Sequence, residues 1–296
     1  ILSLDVPSGV DADRGSAPGA ALHADCTLQF IVAHAGLHTG TALDHGGELL
    51  LDTLDVDAAD FACEAPPSAR LLTAASLRSW LQPRRRDTHK GDSGRVLCIG
   101  GDHGGGGAII LCAEAALRAG AGLVAVATRA AHVPALLARR PEAMGHAIET
   151  EQALPPLLET AGVVACGPGL GRGAWGAALY RRALGCGRPL VLDADALNLL
   201  AGAASVPADA ILTPHPGEAA RLLGCETATL QNDRFAAAAT LAERYRSTIV
   251  LKGAGTIVAA PGHTPRVITA GNPGMATGGM GDLLTGTIAA MRAQGL

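Results

Sequence analysis

The run RVLCIGGDHGGGGAIILCAEAALRAGAGLVAVAT, Arg95 to Thr128, changes rhythm three times, and those changes decide the fold. RVLCIG (95–100) is short, almost wholly apolar and rich in β-formers, so it reads as a strand. A glycine-rich turn follows, and AIILCAEAALRAG then supplies apolar residues at helical spacing. GLVAVAT (122–128) is a second β-rich run. Strand, crossover helix and strand make the unit of a parallel sheet. The strands are apolar throughout rather than alternating, so both of their faces are expected to be covered.

Working outward, the same rhythm recurs. GVVACG (162–167), PLVLDA (189–194), AILTP (210–214) and TIVLKG (248–253) read as further strands. Between them AAHVPALLARR, AWGAALYRRALG, ADALNLLAG and the long TLQNDRFAAAATLAERYR read as helices. The alternation predicts an α/β domain with a mostly parallel, doubly wound sheet. Ligands of such sheets bind beyond the C-terminal ends of the strands. The unusual residues fall there: Gly100-Gly101-Asp102, GPGLG, DAD, TPHPGE and KGAGT. Upstream, residues 1 to about 56 form a separate part, with ILSLDVPSGVDADRG, a strand-like CTLQFIVA and GGELLLDTLDV. DAADFACEAPPSAR (57–70), with small residues and two prolines, reads as a linker.

Composition narrows the function. Of 296 residues, 48% are hydrophobic and 17% charged, which allows a sizeable core and argues against disorder. The net charge is −4 and the longest basic run is Arg84-Arg85-Arg86, so nucleic acid is not an expected partner. No apolar run approaches the roughly 18 residues of a membrane span, and the start carries no signal-peptide pattern; a cytoplasmic location is expected. Seven scattered cysteines without a C-x-x-C pair read as free thiols of a reducing compartment. The chain uses only two lysines, Lys90 and Lys252, each followed by glycine, against 21 arginines. A compact ammonium differs in reach and hydration from a guanidinium, so both lysines are candidates for niches that only an ammonium fits.

Five segments carry candidate chemistry. GPGLGRGA (167–174) fits G-x-G-x-x-A at Gly169, Gly171 and Ala174, and serves equally as a tight strand-to-helix turn. In DAD (193–195), Asp193 and Asp195 suit a magnesium-bound phosphate, with helix capping the plainer role for one of them. TPHPGE (213–218) fixes His215 between prolines for substrate contact or proton transfer, or simply starts a helix at Pro216 and Glu218. KGAGT (252–256) is not a Walker loop, yet its amides and one ammonium suit a phosphate, whether or not it is also a hairpin turn. NPGMATGGMGD (272–282) reads as a glycine-rich loop feeding a helix, with Asp282 near the helix N-terminus. Glycine amides for an anion plus a carboxylate base are the minimum machinery for phosphoryl transfer to an alcohol.

HKGDSGRVLCIGG, AALRAGAGLV, GPGLG, LDADALN, TPHPGE, LKGAGT and GNPGMATGGMGD occur in this order at fitting distances. Together they closely resemble the bacterial ADP-dependent NAD(P)H-hydrate dehydratases, ribokinase-like enzymes with a doubly wound α/β/α sandwich, over residues 71 to 296. LDVPSGVDADRG makes residues 1–56 similar to the last quarter of the Rossmann-like NAD(P)H-hydrate epimerase domain, as in bifunctional nicotinamide-nucleotide repair proteins. The resemblance implies that Lys252, Gly253, Ala254, Gly255, Thr256, Gly281 and Asn272 hold the adenine nucleotide. It implies that Ala108, Gly169, Gly171, His215 and Asp282 contact the hydrated dinucleotide (NADHX or NADPHX), with Asp282 catalytic. In the fragment it implies a substrate-binding Asp5 and a potassium site at Ser8. ADP as phosphoryl donor, Mg2+, K+ for the epimerase part and a homo-oligomer, a tetramer in the family, come with it. A ribokinase-like kinase of a vitamin-type alcohol is the nearest alternative, and a non-catalytic nucleotide-binding descendant the other.

The chain opens at Ile1 and stops at Leu296 within or just after the helix that follows Asp282. Most of an epimerase is therefore expected to be missing, with no epimerisation by this chain alone, and the dehydratase part is expected to be incomplete at its C-terminus.

Overall fold

The computed structural model describes residues 1–61, 64–201, 206–207 and 209–296. The reading of Cys63 as a free thiol, part of the linker reading and the end of the ADALNLLAG helix lie outside the described residues. From the N-terminus run β1 (Leu2–Leu4), β2 (Cys26–Phe30), a helical turn α1 (Ala42–His45), β3 (Glu48–Asp52), β4 (Arg70–Leu71) and a second turn α2 (Ala74–Leu77). Then come β5 (Arg95–Ile99), α3 (Gly106–Arg118), β6 (Leu123–Thr128), α4 (Val133–Arg139), β7 (Met144–Ala147), α5 (Pro155–Thr160) and β8 (Val163–Cys166). Next are α6 (Ala174–Leu184), β9 (Leu190–Leu192), α7 (Asp195–Leu200), β10 (Ile211–Leu212) and α8 (Pro216–Leu223). The chain closes with α9 (Thr227–Asn232), α10 (Arg234–Tyr245), β11 (Thr248–Leu251), β12 (Thr256–Ala259), β13 (Arg266–Ile268) and α11 (Met280–Ala293).

These elements pack as two compact units, one of residues 1–77 and 215–272, the other of residues 78–214 and 273–296. In the second unit the strands lie in the order β10-β9-β8-β5-β6-β7, all parallel. Every described residue of β8 and β9 is buried, as the apolar runs require of strands covered on both faces. The core gathers Val96, Cys98, Val124, Val126 and Val163 of the sheet with Ile109, Cys112 and Ala116 of α3 and Ala289 and Ala290 of α11. α3 and α11 approach closely: a Cβ at Gly286 would lie 2.0 Å from the Cys112 carbonyl oxygen, so only glycine lets the two backbones meet.

In the first unit β1, β2 and β3 form a parallel sheet. β11, β12 and β13 form an antiparallel meander, with β4 parallel to β13. One expectation is corrected here. TLQNDRFAAAATLAERYR is two helices, α9 and α10, because the Asp233 carboxylate turns back to accept the Ala236 N–H (2.9 Å) and caps α10. Among the described cysteines Cys98, Cys112 and Cys166 are buried, Cys225 is exposed, and none is in a disulfide. No described helix is long and apolar enough to cross a membrane.

One buried carboxylate ties α3 to α4. Glu114 is 6% exposed and faces Arg118 Nε at 3.1 Å, Arg139 Nε at 2.6 Å and the Arg140 guanidinium. The bonds from Arg140 and then Arg139 hold its carboxyl down at about 2, from the ordinary 4.5. A carboxylate whose pKa is lowered by folding stabilises the fold above its unfolded pKa, and that contribution fades as the pH falls through the folded one. Glu114→Gln is expected to cost about 1.5 kcal/mol at neutral pH, after discounting for the exposed Arg118 and Arg139. In thermal melts the gap to the parent should narrow as the pH falls from 4.5 towards 2. A gap that stays constant over that window would show that the charge of Glu114 plays no part.

Candidate active site

The loop NPGMATGGMGD ends on α11 as expected, and Asp282 lies in that helix's first turn. Gly279 is the N-cap, at φ +94°, and offers no side chain to the first-turn amides. The positive end of a fourteen-residue helix, which favours an anion, thus lies at the place where Asp282 stands. One turn on, the buried Thr285 hydroxyl lies 2.8 Å from Asp193 Oδ2 and 3.0 Å from the Gly281 carbonyl. Asp193, 1% exposed, stands at the C-terminal end of β9. The Cys112 thiol of α3 is pushed well up, first by its contact with Cys98 and then by burial, with added weight from the negative charges of Asp282 and Asp193. Thr285 stands one turn after Asp282 on α11, so its bond to Asp193 brings the end of β9 to the start of that helix.

The glycine turn after β8 is held from two sides. Asp102 N–H donates to the Gly169 carbonyl (2.6 Å), and Gly171 N–H donates to Asp195 Oδ2 (2.9 Å). This corrects the capping role considered for Asp195. The residue before α7 is Ala194, at φ +47°, and the Asp195 carboxylate is committed to Gly171 and Asn198. Gly171 has φ +72°, and a Cβ there would come within 2.8 Å of the Asp102 carboxylate. Gly105, just ahead of α3, packs on Gly169 so closely that a Cβ would sit 2.5 Å from its carbonyl oxygen. Ala108, Gly169 and Gly171 are thus gathered at one end of the sheet, with Ala108 half-buried in the first turn of α3.

Sequence reasoning did not find Arg129, which directly follows β6. Its Nε donates to Asp102 Oδ1 (2.8 Å), its Nη1 to Glu149 Oε2 (2.8 Å), and it lies 4.4 Å over the Trp175 ring. Burial alone would raise the Asp102 carboxyl; the Arg129 guanidinium and the His103 N–H outweigh it and leave that carboxyl below its ordinary value. Among the described residues no three His, Cys, Asp or Glu side chains cluster as a metal cage. A magnesium ion carried on a nucleotide needs only one or two protein carboxylates beside the phosphates.

The other unit holds the remaining expected residues. KGAGT is the turn of the β11–β12 hairpin, with Leu251 opposite Ile257, so the hairpin reading of this loop holds. Lys252 is mostly buried, its side chain 20% exposed, and its Nζ lies 4.0 Å from Glu218 Oε2. Glu218 is itself 5% exposed. The same carboxylate accepts the His215 backbone N–H (2.8 Å), while His215 Nδ1 accepts the Gly217 N–H (3.0 Å), a reciprocal box that starts α8. Since Nδ1 accepts, the neutral ring carries its proton on Nε2, which lies 3.4 Å from Glu218 Oε1. The helix-start reading of TPHPGE is therefore correct, and it places His215 and Lys252 on one buried carboxylate that the sequence reading took only for part of that start. Asn272, the last residue of this unit along the chain, is exposed. Lys90, in contrast, is an exposed turn residue, so the ammonium niche considered for it is not built. In the N-terminal segment Asp5, at φ +69°, bonds to His34 Nε2 (2.8 Å), and Ser8 is exposed with its carbonyl accepting Leu22 N–H.

A parallel sheet with glycine loops at its strand ends, and a helix N-terminus that offers amides and a carboxylate, define a ribokinase-like α/β protein. The NAD(P)H-hydrate dehydratase family model matches residues 96–296, and the model of the YjeF-related protein N-terminus matches residues 1–36. The chain is 48% identical over all 296 residues to the bifunctional NAD(P)H-hydrate repair enzyme of Escherichia coli and spans 57% of that relative's length. Among solved structures, a ribokinase-like superfamily protein from Enterococcus faecalis superposes with a TM-score of 0.72 at 36% identity, over 77% of this chain and 81% of the other. The ADP/ATP-dependent NAD(P)H-hydrate dehydratase of Bacillus subtilis, co-crystallised with ATP and magnesium, superposes at 0.69 and 31% identity, over 76% and 82%. The chain belongs to the NAD(P)H-hydrate dehydratase family, with a short segment of the YjeF-related N-terminal type ahead of it.

Proposed function

We propose that this chain dehydrates the S epimer of NAD(P)H hydrate back to NAD(P)H with ADP as phosphoryl donor, releasing AMP and phosphate. The observation that carries the reading is the glycine-capped N-terminus of α11, with Asp282 in its first turn and the buried Asp193 bonded to Thr285 one turn on. Hydroxide is a poor leaving group, so the C6 hydroxyl of the hydrate must first be made a better one. Asp282 takes the hydroxyl proton while the oxygen attacks the terminal phosphorus of ADP, and the bond to AMP breaks. The ring nitrogen then donates its electron pair as the C6–O bond breaks and phosphate leaves. Loss of a proton from C5 restores the double bond. The Gly279–Gly281 segment stabilises charge on the moving phosphoryl. Magnesium arriving with the nucleotide would be held on the Asp193 side of the site and would supply charge neutralisation at the phosphates.

His215, Ala108, Gly169 and Gly171 are assigned to the hydrated dinucleotide, and Lys252 to Thr256 with Gly281 and Asn272 to the adenine nucleotide. Residues 1–56 are assigned to the epimerase domain of a longer bifunctional protein, with Asp5 on its substrate and Ser8 at its potassium ion; 57–70 is the linker and 71–296 the dehydratase part. What supports the ADP assignment is the resemblance in motifs, and the B. subtilis relative is described as using ADP or ATP. The test is therefore run with both: NADHX is incubated with the chain and either nucleotide, and recovery of the NADH absorbance is followed alongside phosphate release. Stoichiometric NADH and free phosphate are expected. A stable phosphorylated product without phosphate release would instead identify a kinase of an alcohol.

A further inference from the structure

Arg234 is the largest fully buried side chain of the described residues, at 1% exposure, and it lies under the KGAGT loop. Its Nη2 donates to the carbonyls of Leu251 (3.4 Å), Lys252 (3.3 Å) and Gly255 (3.5 Å), and its Nη1 to Gln231 Oε1 (2.7 Å). Its Nε donates to the Thr39 hydroxyl (3.0 Å). That hydroxyl lies in turn 2.7 Å from the Gly255 carbonyl and 3.2 Å from that of Ala254, while Gly40 N–H donates to Ala254 O (3.1 Å). Among the described residues no carboxylate comes within ion-pair distance of Arg234. A buried guanidinium held only by neutral acceptors is unusual, because burial without a counter-charge is costly.

The arrangement has a directional result. In a trans peptide the carbonyl and the next N–H point opposite ways. The carbonyls of Lys252, Ala254 and Gly255 are drawn inward to Arg234, Thr39 and Gly40, so the N–H groups of Gly253, Gly255 and Thr256 face away from them. Gly253 lies directly over the cation: a Cβ there would sit 3.1 Å from both terminal nitrogens. The loop thus turns amides outward above an uncompensated positive charge, which is what an anion such as a nucleotide phosphate would find favourable. Thr39 lies ahead of residue 96, where the dehydratase family match begins, and beyond residue 36, where the match to the YjeF-related N-terminus ends.

We propose that Arg234 and Thr39 are positioning residues of the nucleotide loop, and that the N-terminal segment, through Thr39 and Gly40, is a working part of the dehydratase's nucleotide site. The proposal rests on the reading that KGAGT holds the nucleotide. It is tested on the whole chain by calorimetric titration with ADP and by steady-state kinetics. Thr39→Val keeps the shape and removes the hydroxyl that Arg234 and the loop share. ADP affinity should fall about fivefold to tenfold, the worth of one ordinary hydrogen bond. At saturating ADP, kcat and the KM for the hydrate should stay within about twofold, and Thr39→Ser should restore ADP affinity. Arg234→Lys should weaken ADP binding further, but it risks the fold, so Thr39→Val carries the decision.

Unchanged ADP affinity in Thr39→Val, or equal losses for ADP and hydrate, would overturn the proposal. Lys252→Ala, measured in parallel, separates the two levels. If it weakens ADP binding while Thr39→Val does not, only the positioning roles fail. If it binds ADP like the parent, or the parent binds none, the nucleotide reading fails and takes the proposal with it.

Discussion

Asp282→Asn is expected to lower dehydration of NADHX by about 10² to 10⁴, the usual worth of a general base, with ADP affinity close to that of the parent. The substitution keeps size and hydrogen-bonding capacity and removes only the proton acceptor. Local structure should survive, because what fixes the start of α11 is elsewhere: Gly279 takes the left-handed turn, Gly286 packs on α3, and Thr285 is held against Asp193. A negative charge near a helix N-terminus stabilises it by about 0.3–1 kcal/mol at most surface sites. The expected loss of turnover, equivalent to roughly 3–5 kcal/mol, is too large to come from such a change in helix stability. Single-turnover rates with saturating nucleotide and hydrate make the measurement. Near-parent rates would remove Asp282 from the mechanism and leave it as a helix-terminus charge.

The strands near this site were legible because buried parallel strands are written in unbroken apolar runs, and β5, β6 and β8 are such runs. The glycine loops were legible because they interrupt those runs at strand ends. β7 (MGHA) and β13 were not read as strands, since they are short and carry glycine, histidine or arginine where an apolar run would be looked for. The break between α9 and α10 was written in Asp233, a good N-cap, but an alanine-rich run on both sides hid it. Side-chain partners were the least visible. Asp195 has the right type and place to cap α7, yet a glycine 24 positions earlier claims its carboxylate. Arg234 did leave a trace. It stands in step with Ala237, Ala238, Leu241, Ala242 and Tyr245, the buried stripe of α10, and a charged residue on an apolar stripe requires a polar recess to receive it.

Lys252→Arg is expected to weaken ADP binding or turnover by about ten- to a hundredfold although the charge is unchanged, as loss of one charge-assisted contact worth roughly 1.5–3 kcal/mol would do. The other lysine, Lys90, is exposed, so the case for an ammonium rests on the surroundings of Lys252 itself. Lys252 is largely enclosed, 4.0 Å from a Glu218 carboxylate that is buried and already engaged with both the backbone and the ring of His215. An ammonium is compact enough to remain at this distance and still present its charge to a phosphate. A guanidinium is planar and wider, and it prefers to grip a carboxylate with two parallel bonds. It would take Glu218 for itself, disturb the box that starts α8, and turn its charge away from the nucleotide. Arg182→Lys is the control: it sits half exposed, 3.3 Å from Glu151, in a pair of the kind worth little at a surface, so the exchange there should be nearly silent. Titration calorimetry with ADP on both variants decides the matter. Parent-like affinity in Lys252→Arg would mean that the niche accepts any cation and that the rarity of lysine in this chain has no bearing on its nucleotide site.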